Sequence, residues 1–280
     1  MVVGGYYMYR KEIARLIGRK LPYFKGKYRL VNFLYPSNKF NNRSMGDKFI
    51  IDYHGKKYAG ITSNFIDWGV YIYNGLENGL INYLKTEIDN FNYYIDIGSN
   101  SGTSSLPFTG RNNLKIICFE PLDYSYKKLI KNFALNDALN ETDFHKIALS
   151  DKSGQSFIYY PESDENIGAT SLDANWDGGF KNKNKKSEKI QTERLDSLYN
   201  FKNENLFIKI DVEGHEKYVL DGSINILKNN KVLMYLETTN NEILNQLKDL
   251  NFKIYFPYFR DGKFKFTSKQ SGADVILKNF

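Results

Sequence analysis

After Asn90 the sequence alternates short apolar runs with polar turns and amphipathic stretches, and few folds accommodate that rhythm. The apolar runs are bounded by turn residues and have the length of buried strands, whereas the stretches between them have helical spacing. This alternation is typical of a mostly parallel sheet with helices on both faces. The predicted fold is therefore α/β, a seven-stranded, mostly parallel, doubly wound sheet. We predict its strands at residues 93–97, 114–119, 144–149, 206–210, 232–236, 252–256 and 273–277.

The N-terminal part of the chain lacks this rhythm and begins with a basic amphipathic stretch. Residues 6–21 have the spacing of a helix that ends at Pro22. Its apolar stripe consists of Ile13, Leu16 and Ile17, with arginine and lysine side chains around it. We expect the stripe to dock on the protein itself or on a second subunit. Peripheral contact with an anionic membrane, at its inner face, is the alternative explanation.

The remaining patterns define a domain organisation. A hairpin is predicted at residues 48–62 and a further helix at 76–88, both ahead of the first strand of the sheet. The predicted domains are an N-terminal extension of helices and a hairpin at 1–90 and a sheet domain at 91–280, which contains a polar loop insertion at 151–190.

Composition excludes several kinds of site. A single cysteine, Cys118, rules out an intrachain disulfide and a multi-cysteine metal site. The formal net charge of +7 would suit nucleic acid or an anionic lipid surface, but the lysines are spread along the chain, and we expect no nucleic-acid partner. No apolar run is long enough to span a membrane and no signal-peptide pattern is present, so a cytoplasmic protein is expected.

The turn after the first predicted strand has the sequence DIGSNSG, residues 96–102. Gly98 and Gly102 allow a sharp turn and a close approach of a ligand to the main chain. A dinucleotide-phosphate loop would have a third glycine and would need no acidic residue at its start. An acidic side chain at Asp96 instead suits a ligand with a cationic group, such as the ammonium of S-adenosylmethionine. A tight strand-to-helix turn without a ligand would contain the same glycines.

A second acidic residue, Glu120, ends the next predicted strand. It lies 18 residues after Gly102, close to the roughly 20-residue offset at which an acidic side chain accepts hydrogen bonds from a ribose diol. Two acidic strand ends are hard to explain by packing alone. Together Asp96 and Glu120 therefore predict an adenosine-containing ligand.

A carboxylate-rich cluster follows the predicted strand at 206–210, in the sequence IKIDVEGHE. Mutual repulsion there could raise the pKa of one carboxylate enough for it to act as a base. A divalent cation is the other way to neutralise such a group, and Asp211 with Glu237 at the next strand end is a candidate Mg²⁺ or Ca²⁺ site. His215 is a candidate general base. A histidine that merely begins a helix beside carboxylates would give the same pattern.

These motifs occur together in the order and spacing of the FkbM-type methyltransferases, and the sequence resembles that family over about residues 90–240. Residues 1–45 match nothing recognisable, and the Tyr-Glu pair usual in the family's lead-in is Val70-Tyr71 here. The resemblance is carried by DIGSNSG at 96–102, FEP at 119–121, Asn136, ALSD at 148–151, Gly154, Thr192, Leu195-Asp196, IKIDVEGHE at 208–216 and Leu236-Glu237.

The resemblance implies a class I, Rossmann-like, S-adenosylmethionine-dependent O-methyltransferase. Members of this family act on hydroxyl groups of sugars, polysaccharides or polyketide macrolides, which implies a sugar or glycan acceptor and a place in polysaccharide biosynthesis. The loop at 96–102 would hold the methionine part of the cofactor and Glu120 its ribose. The implied cofactor-binding residues are Asp96, Gly98, Ser99, Asn100, Gly102, Thr103, Glu120, Pro121, Ala148 and Asp211.

In the implied mechanism the acceptor oxygen attacks the activated methyl group in line with the departing sulfur while a base removes its proton. Asp211 is the first candidate base, because its strand-end position is fixed and faces the cofactor, and His215 and Glu213 follow. Other sugar O-methyltransferases of this fold bind a divalent cation on acidic strand ends, which suggests Mg²⁺ at Asp211 and Glu237. Residues 160–190 are expected to close over the acceptor.

Three other functions fit parts of the pattern. A methyltransferase that acts on RNA or another anionic acceptor would need a continuous basic surface at the cleft. A non-catalytic adenosine-binding module of a glycan-assembly complex would keep the cofactor residues without turnover. A nicotinamide-dependent oxidoreductase would share the sheet. The sequence does not specify the sugar, whether it is part of a polymer or linked to lipid or nucleotide, or the oligomeric state.

Overall fold

In a computed structural model the chain divides into compact units, the first of which runs to Asn78 and the second of which begins at Gly79. The division lies ahead of the position near residue 90 that the sequence suggests. The structure describes residues 2–22, 24–37, 46–162, 170–174, 185–260, 263–267, 269–270 and 272–280.

The first unit consists of helices around a small hairpin. The predicted hairpin is confirmed, with His54 and Gly55 in positive-φ conformations at its turn. The elements are α1 (Val2–Lys20), α2 (Lys27–Leu34), β1 (Lys48–Tyr53), β2 (Lys56–Ile61) and α3 (Phe65–Tyr73).

Helix α1 docks on α3 mainly through its small residues. Ala14 is fully buried, and a Cβ at Gly18 would lie 2.4 Å from the carbonyl oxygen of Ile72, so the two helices approach closely there. Two residues of the predicted apolar stripe, Ile13 and Leu16, are exposed. The third residue of the stripe, Ile17, packs against the core of this unit, so the expected docking on the chain's own domain involves Ile17 but not Ile13 or Leu16.

The second unit contains the predicted alternation of strands and helices. Its elements are α4 (Asn78–Glu87), β3 (Tyr93–Ile97), β4 (Lys115–Phe119), α5 (Asp123–Ala134), β5 (Thr142–His145), β6 (Ala148–Leu149), β7 (Gly154–Pro161), β8 (Lys185–Glu193), α6 (Leu195–Leu198), β9 (Asn205–Ile210), α7 (Glu216–Asp221), α8 (Ile224–Asn229), β10 (Lys231–Glu237), α9 (Asn241–Asp249), β11 (Lys253–Arg260), β12 (Lys263–Thr267) and β13 (Asp274–Lys278).

The main sheet of this unit has eight strands within the described residues, in the order β12-β11-β13-β10-β9-β3-β4-β5. Strands β10, β9, β3, β4 and β5 run parallel, whereas β13, β11 and β12 add antiparallel pairs at one edge. The predicted α/β, Rossmann-like class is confirmed. The additional strand, β12, is short and begins after the Asp-Gly pair at 261–262, a hairpin signal that the sequence analysis did not use.

Alternate side chains of the parallel strands fill the core on one side of the sheet. Ile97, Ile210 and Leu236 face this side and pack with apolar residues of α7, α8 and α9. Because side chains alternate along a strand, Asp96 and Lys209 point to the opposite side. The carboxyl ends of these parallel strands meet at one edge of the sheet, which brings the motifs that follow them together.

Part of the predicted loop insertion forms strands. In the part of the chain that the structure describes, β6, β8 and β7 form a small separate sheet in which β7 and β8 run antiparallel. Strand β8 is largely exposed and polar, and β7 carries a short apolar run at 157–160 without alternation, so neither sequence shows the alternating pattern that predicts a strand. The predicted strand at 144–149 is also divided, since β5 belongs to the main sheet and β6 to the small one. Residues 163–169 and 175–184 of the insertion lie outside the described residues.

Candidate active site

The turn at 96–102 begins on a fully buried carboxylate. Asp96 has no solvent exposure and lies in register with Cys118 of β4 on one side and Lys209 of β9 on the other. The Ser99 hydroxyl donates to the Asp96 carbonyl oxygen at 2.7 Å and closes the turn. The backbone N–H groups of Gly98 and Ser99 both donate to the Phe119 carbonyl oxygen, which ties the turn to the end of β4.

Both glycines of the turn are required by packing. Gly98 has φ 79°, and a Cβ there would lie 1.9 Å from the Asp211 carbonyl oxygen. Gly102 has φ 83°, and a Cβ there would lie 2.8 Å from atoms of Leu129 and Phe133 in α5. Any residue with a side chain would therefore push the turn away from β9 or from α5. The glycines thus allow the turn to pack closely against β9 and α5. A tight strand-to-helix turn without a ligand would need them for the same reason.

Glu120 binds the turn from the adjacent strand end. Its carboxylate is buried, and its two oxygens accept hydrogen bonds of 2.9 Å from the backbone N–H groups of Asn100 and Leu122. Burial raises the pKa of Glu120 to about 7; the two N–H donors oppose that shift, whereas the charges of Asp96 and Asp211 add to it. The structure therefore brings together the two acidic strand ends that the sequence analysis selects.

The other predicted cofactor residues are distributed around this turn. Asn100 adopts a left-handed conformation with φ 49°, and Ser99 is buried. Thr103 directly follows the turn in the sequence, and Pro121 directly follows Glu120. Both residues are half-buried. Ala148 is buried in β6, in the small sheet.

A buried lysine lies beneath the second acidic motif. Lys209 is only 2% exposed, and its Nζ donates to Asp211 Oδ2 at 2.9 Å. In the sheet it lies between Asp96 of β3 and Tyr235 of β10. Lys209 was not among the predicted site residues. A charged residue inside an otherwise apolar strand is nevertheless a signal in the sequence, because lysine is rarely buried without a partner.

Three further carboxyl groups surround Asp211. Burial, followed by the charges of Asp211, Glu237 and Glu216, raises the pKa of Glu213 to about 8. The pKa of Glu237 is raised to about 7, first by partial desolvation and then by Asp211 and Asp274, although this side chain is exposed. Lys209 opposes both shifts. Glu213 has φ 50°, a left-handed conformation that is rare for a residue with a long side chain.

Asp211 and Glu237 follow neighbouring strands, as the predicted metal site requires. No group of three or more histidine, cysteine, aspartate or glutamate side chains in the described part of the chain is arranged to hold a metal ion. The Lys209 ammonium donates to one carboxylate oxygen of Asp211 and so supplies positive charge beside the residue that both predicted ligand roles share. The donor set therefore does not fit a divalent cation.

His215 is held by a serine from a different part of the chain. Its Nε2 lies 3.0 Å from the Ser150 hydroxyl, which also lies within 3.1 Å of Asp151 Oδ1, and its ring stacks on Tyr218. Burial lowers the pKa of His215, and Asp151 opposes that shift. The imidazole is therefore neutral near pH 7. His215 occupies the N-cap position of α7, as the helix-start explanation requires, but its side chain makes no capping bond.

The described end of the loop insertion reaches the acidic cluster. The Ser171 hydroxyl is buried and donates to the Glu213 carbonyl oxygen at 2.8 Å, and Ser171 also pairs with Tyr159 of β7. The expected closure of residues 160–190 over an acceptor falls mostly on residues outside the described part.

A sequence model described as the methyltransferase FkbM domain matches residues 96–254, which is more than half of the chain. The chain belongs to the FkbM methyltransferase family. The match begins at Asp96 and includes Glu120, Asp211 and Glu237, so both acidic motifs lie inside the family domain. The chain thus carries an FkbM methyltransferase domain on an α/β fold.

Solved structures with a similar fold are distant in sequence. An FkbM methyltransferase from Methylobacillus flagellatus KT is 13% identical with a TM-score of 0.43, and the match covers 68% of this chain and 44% of that one. A precorrin-6y C5,15-methyltransferase from Geobacter metallireducens is 13% identical with a TM-score of 0.35, covering 66% and 76%. A human methyltransferase 10 domain containing protein is 14% identical with a TM-score of 0.40, covering 71% and 79%. No curated protein matches this FkbM chain significantly in sequence.

Among the described residues, no helix combines the length and the apolar character that a membrane span requires.

Proposed function

We propose that the protein is an S-adenosylmethionine-dependent O-methyltransferase that acts on a hydroxyl group of a sugar or glycan. The observation that carries the proposal is the anchoring of Glu120 at the strand end. Two backbone N–H groups fix its carboxylate, and each carboxylate oxygen keeps a further lone pair that can accept from a ribose hydroxyl.

The charge of the site suits this cofactor. Asp96, Asp211 and Glu213 place negative charge in the same region of the site. The charge of the buried Lys209 ammonium opposes their effect on the carboxyl pKa values. S-adenosylmethionine carries an ammonium and a sulfonium, so its binding would offset the repulsion that raises the carboxyl pKa values. We assign Asp96 and the turn at 96–102 to the amino-acid part, and Glu120 to the ribose. Ser99, Asn100, Thr103, Pro121 and Ala148 complete the proposed cofactor site.

When bound, the cofactor supplies an activated methyl group, and the chain must orient the acceptor hydroxyl and remove its proton. We assign removal of the acceptor's hydroxyl proton to Glu213 and a positioning role to Asp211. Lys209 already engages Asp211, whereas the pKa of about 8 at Glu213 suits a base that works near neutral pH. The neutral imidazole of His215 is the second candidate.

The proposal requires no divalent cation, because the Lys209 ammonium already binds Asp211 and its charge lowers the pKa of Glu237. A sugar acceptor also suits the charge of the family domain better than RNA does. The chain's excess of positive charge lies in residues 2–34, and the remaining residues carry 31 basic and 31 acidic side chains. An RNA-binding cleft would instead need a basic surface.

Calorimetric titration tests the cofactor assignment. We expect S-adenosylmethionine and S-adenosylhomocysteine to bind and NAD⁺ not to bind. Asp96→Asn should weaken binding of S-adenosylmethionine about 10-fold or more, since a hydrogen bond to a charged group contributes about 1.5–3 kcal/mol. Asp249→Asn, at an exposed position of α9, is the matched control. Normal binding by Asp96→Asn, or preferential binding of NAD⁺, would show the assignment to be wrong.

Transfer of a labelled methyl group to a panel of acceptors tests the reaction. The panel contains free sugars, nucleotide sugars, lipid-linked glycans, polysaccharide and RNA. Methylation of a hydroxyl in one of the sugar-containing acceptors is the expected outcome. Methylation of RNA alone would favour the anionic-acceptor function, and cofactor binding without transfer to any acceptor would favour the adenosine-binding module.

A further inference from the structure

The positive charge of the chain is concentrated in its first two helices. Residues 2–34 contain eight lysine and arginine residues and one acidic residue, Glu12, so their surplus of seven equals the formal charge of the whole chain. The rest of the sequence is electrically balanced. The charge that would attract an anionic partner is therefore a local property of α1, α2 and the connection between them.

The same two helices expose large apolar side chains. Tyr9, Ile13 and Leu16 of α1 are 68%, 47% and 59% exposed, and they follow one another at helical spacing on one side of the helix. Phe33 of α2 is 74% exposed, and Leu30, one turn earlier, is also exposed. Such a cluster is unusual on a protein surface that contacts only water.

The orientation of the two helices is fixed by contacts on their other sides. The Arg19 guanidinium donates to the carbonyl oxygens of Val70 and Tyr71 at the end of α3. The Lys27 ammonium donates to the carbonyl oxygens of Gly18 and Leu21, which ties the start of α2 to the end of α1. Together with the close approach at Gly18, these bonds leave the apolar side chains directed outwards.

Basic side chains lie beside the apolar ones. The Arg10 guanidinium lies 5.4 Å from the centre of the Phe33 ring and joins the two helices. Lys20, Lys25 and Arg29 are exposed. We define the α1–α2 face as the exposed side chains Tyr9, Ile13, Leu16, Leu30 and Phe33 together with Lys20, Lys25 and Arg29.

We propose that the α1–α2 face binds the surface of an anionic lipid bilayer. A lipid surface provides both kinds of contact that the face requires. Its negative headgroups attract the basic side chains, and its apolar boundary buries the aromatic and aliphatic ones. Nucleic acid would use the charges but would leave Leu16 and Phe33 in water. A second copy of the chain would bring two strongly positive faces together. The proposal does not depend on the methyltransferase reaction.

Co-sedimentation of the full chain with vesicles tests the proposal. The vesicles consist of phosphatidylcholine alone or with about one third phosphatidylglycerol. We expect binding to the anionic vesicles, weakened by salt, and little binding to the neutral ones. The triple variant Lys20→Glu, Lys25→Glu, Arg29→Glu should lower the partition coefficient about 100-fold or more, because each basic residue contributes about 1 kcal/mol near such a surface.

A second variant tests the contribution of the apolar side chains to vesicle binding. Leu16→Ser with Phe33→Ser should lower partitioning about 10-fold or more, since both side chains lose their burial in the lipid boundary. The matched controls are Lys152→Glu, Lys202→Glu, Lys228→Glu for charge and Leu139→Ser, Phe157→Ser for apolar area, all exposed positions of the second unit. These controls should bind as the unchanged chain does, and all variants should keep its circular dichroism spectrum.

Four results would overturn the proposal. The first is a failure of the unchanged chain to bind anionic vesicles. The second is an equal loss of binding in a variant and its matched control. The third is a dimer in sedimentation that Leu16→Ser with Phe33→Ser dissociates. The fourth is binding to an RNA homopolymer, without vesicle binding, that the charge variant abolishes and the apolar variant retains.

Discussion

The buried ammonium of Lys209 donates a hydrogen bond of 2.9 Å to Oδ2 of Asp211, and this bond joins the interior of the sheet to its carboxyl edge. Lys209 leaves strand β9 on the side of Asp96, whereas the carboxylate that it binds belongs to the motif that follows the strand. A lysine in this position is stabilised by the acidic groups above it, and it limits their mutual repulsion.

The first prediction concerns metal ions. Treatment with excess EDTA should leave the rate of methyl transfer unchanged within about twofold, because Lys209 already compensates the charge of Asp211. The measurement is the initial rate with EDTA, with EDTA followed by excess Mg²⁺, and without addition. A large loss that Mg²⁺ restores would instead place a cation at Asp211 and Glu237.

The second prediction concerns the base. Glu213→Gln should lower kcat by about 10²-fold or more while the Kd for S-adenosylmethionine stays within a few-fold, because the amide cannot accept the proton. In the unchanged enzyme kcat/KM should rise with pH towards about 8, the pKa of Glu213 in the free protein, and this limb should be absent from the variant.

Two companion variants separate Glu213 from the other candidate bases. His215→Gln should reduce kcat less than Glu213→Gln does, and Asp211→Asn should raise KM for the acceptor as well as lower kcat, because Asp211 is assigned a positioning role. A Glu213→Gln enzyme with normal kcat and a normal pH profile would return the base to Asp211 or His215.

The third prediction concerns stability against pH. The folded-state pKa values of Glu213, Glu120 and Glu237 are raised to about 8, 7 and 7, above the ordinary value of an unfolded glutamate. Near pH 6.5 the folded state therefore keeps protons that the unfolded state has released, so the free energy of unfolding falls as the pH rises to 8.5. Tm should decrease by a few degrees across this window.

A single substitution checks the origin of that slope. Glu213→Gln removes one of the raised groups, so its Tm should fall less steeply between pH 6.5 and 8.5 than that of the unchanged protein. Glu162→Gln, at an exposed position, should keep the original slope. His215, whose pKa is lowered by burial, acts in the opposite direction near the acidic end of this window, but its contribution is common to all three proteins and does not affect their comparison. Equal slopes in all three proteins would rule out the acidic cluster as the source.

Local patterns were sufficient to predict the sheet and the strand ends that form the site. The strands that carry Asp96, Glu120, Asp211 and Glu237 are buried on both faces, so their apolar runs stand out in the sequence, and the edge at which they meet follows from parallel pairing. The family resemblance, which the matched domain confirms, rests on the same segments.

Features that depend on distant partners could not be predicted in this way. The role of Lys209 depends on Asp211 and on carboxyl groups from another strand. The direction of the α1 stripe depends on Gly18, whose close contact with Ile72 is visible only in three dimensions. Strand β8 was missed because its exposed side chains are polar, and β7 was missed because its apolar residues do not alternate with polar ones.

The fourth prediction concerns the contact between the turn and β9. Gly98→Ala should destabilise the protein by about 3 kcal/mol or more, since its positive φ disfavours any side chain and its Cβ would lie 1.9 Å from the Asp211 carbonyl oxygen. Gly26→Ala is a control with the same backbone cost alone, because Gly26 has φ 94° and no atom within 4 Å of the added carbon. It should cost about 1 kcal/mol. Urea unfolding measures both changes, and equal losses would mean that the turn does not need its close contact with Asp211.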